Sequence, residues 1–191
     1  MVKRAHLKFL SWRFCLGLVL IIAATATATA EVQIADRLVM ASEFGDIKEV
    51  TELLEKGANP NALDSMGRTA LMTSAIAGNI EMARLLLERG ADVNTPNAQG
   101  GTALVGAIMN NRPEIFHLLL AKGAAVNIAS NSGSPLIFAC VVGRIEFAKV
   151  LLEKGAQVQV KDEFGRTPLG VARTIKDEAL VALLESYGAK E

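Results

Sequence analysis

Short apolar stretches alternate with polar, glycine-containing turns along this chain of 191 residues. The phrase LLEKGA stands at Leu53 to Ala58 and returns letter for letter at Leu151 to Ala156. Between these phrases, Thr or Ser precedes Ala or Pro and then Leu, opening another apolar stretch. Apolar stretches of this length, with capping residues before them and glycine after them, predict short helices in pairs.

The pairs recur at a fixed interval. Gly-Ala occurs at positions 57, 90, 123, 155 and 188, so the spacings are 33, 33, 32 and 33 residues. A period near 33 with T-P-L, L-L and G-A phrases in constant register resembles the ankyrin repeat. The resemblance implies an all-α ankyrin-repeat solenoid of five helix-turn-helix repeats with β-hairpin-like loops. The predicted domain covers residues 31–191, with repeats at about 31–61, 62–94, 95–127, 128–159 and 160–191.

Each recurring phrase has a physical reason. Thr or Ser before Pro caps a helix, and Pro tolerates the first helical position because its missing N–H has no partner there. Gly78 and Gly143 are predicted to end first helices in the left-handed conformation, which Asn111 adopts in the third repeat. Pro113 then starts a second helix. The fourth repeat is one residue short between Asn127 and Ser134, which predicts a tighter hairpin.

The terminal units depart from the pattern. Glu185 stands where the inner repeats place leucine, and Asp36-Arg37 replaces Thr-Pro in the first unit. Polar residues at these positions are typical of the capping repeats that keep a solenoid soluble.

The front of the chain predicts export. Residues 1–13 are basic, Phe14 to Ala24 is an uninterrupted apolar run, and Ala28-Thr29-Ala30 follows. A basic start, a short apolar core and an A-x-A end indicate a secretory signal peptide, cleaved after Ala30. The alternative is an uncleaved anchor, for which residues 14–30 are at the short limit of a membrane-spanning helix. Either route exports the remainder, and the predicted location is the bacterial periplasm.

Charge and reactive residues narrow the function. After Ala30 the chain carries 16 basic and 20 acidic residues, a formal charge of −4, which argues against a nucleic-acid partner. His117 is predicted on the surface of a second helix and Cys140 in the interior. The sequence shows no Ser-His-Asp set, phosphate loop or metal-ligand cluster. We therefore expect no catalysis, cofactor, metal or small-molecule substrate; the rival is catalysis by surface carboxylates.

Ankyrin proteins usually bind partners through the concave face and the hairpin fingers, so the resemblance implies candidate positions in both places. The predicted concave residues are Glu43, Phe44, Ile76, Met109, Asn110, Val141, Val142 and Ile175. The predicted finger residues are Met66, Arg68, Gln99, Asn131, Phe164 and Arg166. Phe44, Ile76, Met109, Val142 and Ile175 are expected to form an apolar stripe, and a contiguous exposed apolar patch usually marks a binding site. The alternative is that these side chains pack against neighbouring repeats.

The sequence thus predicts a non-catalytic, exported protein that binds an unidentified protein partner of the envelope. It could act as an accessory factor, an inhibitor or an immunity protein. One alternative is a structural protein that assembles with itself through the groove of its concave face. Another is a helper of a periplasmic enzyme, because some exported bacterial ankyrin proteins resemble helpers of catalases.

Overall fold

The protein is described by a computed structural model over residues 30–128, 130 and 132–190. Over this part of the chain, helices follow one another in pairs joined by loops, and no strand is formed. The predicted signal peptide, apart from Ala30, lies outside the described residues. The helices are α1 (30–44), α2 (Ile47–Glu55), α3 (Ala70–Ala77), α4 (Ile80–Glu88), α5 (Ala103–Met109), α6 (Pro113–Ala121), α7 (Pro135–Val141), α8 (Ile145–Glu153), α9 (Pro168–Thr174) and α10 (Glu178–Ser186).

The predicted capping residues bound the first helix of the pairs. The side-chain oxygens of Thr69, Ser134 and Thr167 accept hydrogen bonds from the backbone N–H three residues later. Thr102 occupies the same register without such a bond. The left-handed ends are also confirmed, with φ of 86° at Gly78 and 53° at Asn111. Local sequence therefore sets where these helices begin and end.

The core runs continuously from pair to pair. The first leucine of each recurring pair is buried as predicted, whereas Leu54 and Leu87, the second leucines of the first two pairs, are only partly buried. Phe116 of α6 packs against Phe147 of α8 with ring centroids 4.6 Å apart. The first helices α3, α5, α7 and α9 pack closely side by side, whereas neighbouring second helices touch at few positions. The stack therefore curves with its first helices on the inner side.

A recurring asparagine joins successive pairs through their loops. The side-chain oxygen of Asn127 accepts a hydrogen bond from the Gln157 N–H at 2.9 Å, and its amide donates to the Gly155 carbonyl at 3.1 Å. Asn94 and Asn61 make the equivalent two bonds one pair and two pairs earlier, respectively. These bonds fix the register between neighbouring units.

Both ends of the stack carry the same kind of ion pair. Arg37 of α1 contacts Glu49 of α2 at 2.7 Å, and Arg173 of α9 contacts Glu185 of α10 at 3.0 Å. At the positions that correspond to Glu49, Arg173 and Glu185, the inner helix pairs have apolar residues, which the neighbouring unit covers. The charged residues predicted at the two ends of the stack, Arg37 and Glu185, thus form ion pairs that join the two helices of each terminal unit.

The loop between the third and fourth pairs is the tighter one predicted. Its ends pair through Ser130 and Gly133, three residues apart, whereas the corresponding bonds elsewhere join residues four apart, such as Asp162 and Arg166. No helix in the described part of the chain combines the length and hydropathy needed to cross a bilayer.

Candidate partner-binding surface

An apolar side chain stands exposed at the carboxyl end of every first helix. Ile76, Met109, Val141 and Ile175 are each between 41% and 44% exposed, and Phe44 is 80% exposed. They recur in nearly the same register, within the last two residues of their helices or at the C-cap, on the inner side of the curved stack. We call this set of five residues the apolar stripe.

The stripe differs from the predicted set at one position. Val142 was expected to belong to it, but Val142 caps α7 and lies partly buried against the core, whereas Val141 is exposed. The assignment of Val142 to the stripe was therefore wrong, because α7 ends at Val141 and the last turn directs that side chain outward. The exposed valine of the predicted concave residues is Val141.

Two of the stripe residues also lie against a neighbouring helix pair. A Cβ added at Gly106 of α5 would lie 3.2 Å from the Ile76 Cγ1, and one added at Gly143 would lie 3.9 Å from the Ile175 Cδ1. Ile76 and Ile175 thus each contact the adjacent unit with one face and still remain 42% exposed. Partial support of this kind holds an apolar group in place without burying it.

The polar residues among the predicted concave positions are already engaged. Glu43 accepts a hydrogen bond from Arg68 at 3.1 Å, so this pair closes one end of the surface. The side-chain amide of Asn110 donates to the Gly106 carbonyl at 2.9 Å. Arg112, which the sequence did not suggest, donates from Nε to the Ile76 carbonyl at 3.1 Å and so secures the end of α3.

The outer fingers present large apolar tips on rigid turns. Met66 and Phe164 are both 72% exposed. In the last finger, the carboxylate of Asp162 accepts hydrogen bonds from the Phe164 and Arg166 N–H groups and from the Arg166 Nε, at 2.9, 2.8 and 2.7 Å. The guanidinium of Arg166 also lies 5.0 Å from the centre of the Phe164 ring.

The first finger repeats this arrangement around a buried aspartate. Asp64 accepts from the Met66 and Arg68 N–H groups and from the Arg68 Nε. Sequence reasoning missed these two aspartates, although the shared D-x-x-G-R phrase before Thr signals them.

The middle fingers have polar tips. Gln99 is exposed, and its N–H donates to the Asn97 side chain at 3.0 Å. Asn131 lies outside the described residues. Ser132 donates to Glu163 of the next finger at 3.0 Å. Apolar anchors therefore occupy the outer fingers, and uncharged polar groups lie between them.

Burial raises the pKa of the Cys140 thiol to about 12, and the charge of Asp177 acts in the same direction. The thiol is fully buried, as predicted, and is held protonated.

His117 is exposed on α6, also as predicted, with its ring against the edge of Phe116. Among the described residues, no three His, Cys, Asp or Glu side chains are placed to hold a metal ion.

A family model described as ankyrin repeats, in three copies, matches residues 38–130. The match covers α1 from Leu38 through α6 and the loop that follows it. The helix pairs beyond residue 130 have equivalent caps at Ser134 and Thr167 and share the same continuous core. The fold is therefore an all-α ankyrin-repeat solenoid, a class of protein–protein interaction module.

Proposed function

We propose that this chain is an exported, non-catalytic ankyrin-repeat protein that binds a protein partner through its apolar stripe and outer fingers. The observation that carries the proposal is the stripe itself, in which every first helix places an apolar side chain in solvent at nearly the same register. Burying each of these side chains would contribute about 1.5–3 kcal/mol before the costs of association are subtracted.

Location in the periplasm is supported by the basic start, the apolar run and the A-x-A end of the leader. A bacterial envelope protein with this surface would act as an accessory factor, an inhibitor or an immunity protein. Cleavage after Ala30 leaves Glu31 as the first residue. Fractionation followed by intact-mass measurement tests this, and a periplasmic chain that retains the leader would support the anchor instead.

Self-assembly is the alternative to a separate partner, and the charged ends of the stack oppose the form of it in which copies stack end to end. If one copy stacked in register on another, the Arg173–Glu185 end would meet the Arg37–Glu49 end. Arginine would then face arginine on the first-helix side, and glutamate would face glutamate on the second-helix side. Like charges brought together at an interface oppose association. The ends are therefore better suited to terminating the stack than to extending it.

The experiment that tests the proposal is a comparison of tagged chains expressed with their own leader. A Met109→Asp/Val141→Asp variant changes the middle of the stripe, and Lys149→Asp on the opposite side of the stack is its matched control. An envelope protein captured by the wild type and the control, but lost in the stripe variant, supports the proposal. Capture that survives the stripe variant contradicts it, provided that circular dichroism shows the variant folded.

A further inference from the structure

The residue that precedes the second helix differs between the helix pairs. In the first, second and fifth pairs it is Asp46, Asn79 or Asp177, whose side chain accepts a hydrogen bond from the backbone N–H three residues later. Arg112 and Arg144 occupy this position in the third and fourth pairs and make no such bond. An arginine cannot accept that hydrogen bond, and its charge lies at the positive end of the helix dipole. The stability of the helix that follows therefore explains neither arginine.

The fifth pair carries a cation one residue earlier in the same turn. Lys176 has a φ of 59°, in the left-handed region that residues other than glycine rarely adopt. Asn111 stands at this position in the third pair, and glycine stands there in the other three. A lysine strains this turn where a glycine would not, so Lys176 is also unexplained by the stability of its turn.

These three cations lie along one border of the apolar stripe. Arg112 donates from Nε to the carbonyl of Ile76, a stripe residue of the preceding pair, at 3.1 Å. Arg144 corresponds to Arg112 one pair later, and Lys176 directly follows the stripe residue Ile175. We call Arg112, Arg144 and Lys176 the cationic border. It accompanies the stripe through the third, fourth and fifth helix pairs.

No carboxylate forms an ion pair with the cationic border in the described part of the chain. The hydrogen bond of Arg112 goes to a neutral carbonyl, and neither Arg144 nor Lys176 makes a hydrogen bond or ion pair there. Glu114 and Glu146 follow the two arginines by two residues, in the first turns of α6 and α8, and do not pair with them. The positive charge beside the stripe is therefore available to a partner.

The acidic groups near the stripe are already engaged within the chain. Glu43, at the amino-terminal end of the stripe, forms an ion pair with Arg68 at 3.1 Å. The carboxylates of Asp46 and Asp177 cap α2 and α10. The charge that the stripe offers to a partner is thus positive and confined to the carboxyl-terminal three pairs.

We infer that the partner segment on the stripe is acidic along one side. It places apolar side chains against Met109, Val141 and Ile175 and carboxylates against the cationic border. Complementary charges beside an apolar contact guide the encounter and fix the direction in which a segment lies. The carboxylates therefore lie toward the carboxyl-terminal end of the stack. This inference rests on the proposed function and specifies the chemistry of the partner.

Exchanging two of the cations for the residues of other pairs separates binding from stability. Arg144→Asn provides the cap that Asn79 makes, and Lys176→Gly provides the glycine of the other turns. The double variant should therefore melt about 2–6 °C above the wild type. Its matched control is Lys149→Gln/Lys154→Gln, which removes two exposed cations from the second-helix side of the stack.

Peptides selected on the purified chain from a displayed library of random peptides, about 20 residues long, are the probe. We expect them to combine large apolar residues with Asp or Glu. Their binding should weaken about tenfold in the double variant and stay within about twofold of wild type in the control. Because the border is exposed, the Kd should also rise about fivefold or more between 50 and 500 mM salt.

The outcomes separate the inference from the proposed function. Selected peptides that lack acidic residues, or acidic peptides that bind the double variant as well as the wild type, would overturn the inference. A double variant that melts below the wild type would do the same, since the cations would then serve the fold. If such peptides are still lost in Met109→Asp/Val141→Asp, protein binding through the stripe stands. Peptides indifferent to that variant too would overturn both. A selection without binders would overturn the inference alone, and the envelope capture would then decide the proposed function.

Discussion

Replacing Asp162 should loosen the junction between the fourth and fifth helix pairs. Its carboxylate has no exposed surface and accepts three hydrogen bonds within the last finger, two from backbone N–H groups and one from Arg166. Asp162→Ala removes all three, whereas Asp162→Asn keeps an acceptor for the backbone and loses the ion pair. The two variants therefore separate the turn from the charge.

The expected losses follow from these contacts. Each backbone hydrogen bond contributes about 1 kcal/mol net, and the ion pair contributes about 0.5–1 kcal/mol because Arg166 is 47% exposed. Asp162→Ala should thus cost about 2–3 kcal/mol and Asp162→Asn about 1 kcal/mol. In a chain of this size 1 kcal/mol corresponds to about 2–4 °C in Tm, so Asp162→Ala should melt about 4–12 °C lower.

The loss should also depend on pH. Burial acts to raise the pKa of Asp162, but hydrogen bonds from the Arg166 backbone and side chain and from the Phe164 N–H, with the Arg166 charge, hold that pKa below its ordinary value. A lowered pKa means that the carboxylate stabilises the fold above the unfolded value of about 3.9. That contribution is lost as the pH falls through the lower folded value. The difference between wild type and Asp162→Asn should therefore shrink on acidification below about pH 4.

Thermal melting by circular dichroism measures the loss, and hydrogen exchange locates it. Because solenoid units contact only their neighbours, exchange should rise in α9 and α10 before the rest of the stack. Glu163→Gln, next to Asp162 on the exposed side of the turn, is the control and should stay within about 0.5 kcal/mol of wild type. Equal melting of Asp162→Ala and wild type, or a loss of Asp162→Asn that is independent of pH, would refute the reasoning.

Three further predictions follow from the junctions, the ends and the thiol. Gln159 occupies the position that corresponds to the junction asparagines Asn61, Asn94 and Asn127, but in the described residues it makes no such bond. Gln159→Asn should add two hydrogen bonds and raise the free energy of unfolding in urea by about 0.5–1.5 kcal/mol. No gain in stability would contradict this account. Arg173→Leu/Glu185→Leu should make the chain associate with rising concentration in sedimentation, whereas unchanged monomers would show that the ion pair does not protect that end. Cys140, with a pKa of about 12, should resist a thiol reagent at pH 8 until urea unfolds the chain; rapid labelling of the folded protein would contradict its burial.

Most of the fold can be predicted from residues that are close together in the sequence. Thr69, Ser134 and Gly78 define helix ends through contacts within four residues, and such contacts can be predicted from local residue types. The missing residue between Asn127 and Ser134 likewise predicted a tighter turn, since hairpin geometry follows loop length. Recurrence at a fixed period then implied stacking, because a single helix pair cannot bury its own apolar face.

The candidate partner-binding surface was harder to predict from the sequence. Periodicity named five apolar positions on one face but placed Val142 rather than Val141 among them, because the exact last turn of α7 depends on how it packs against α5 and α9. The roles of Asp162 and Arg112 were missed as well. Each depends on partners brought to it by a folded turn or by the preceding helix pair.

The sequence by itself thus determined the repeat, the helix caps, the first leucine of each pair as a core residue and the charged termini, since these depend on residue type and spacing. Only the tertiary structure decided which apolar side chains remain in solvent and which charges pair across 12 residues at either end. The physical reason is that side-chain exposure and ion pairing are properties of the assembled stack. Whether a side chain is covered is set by the neighbouring unit, and that neighbour is present only once the solenoid has assembled.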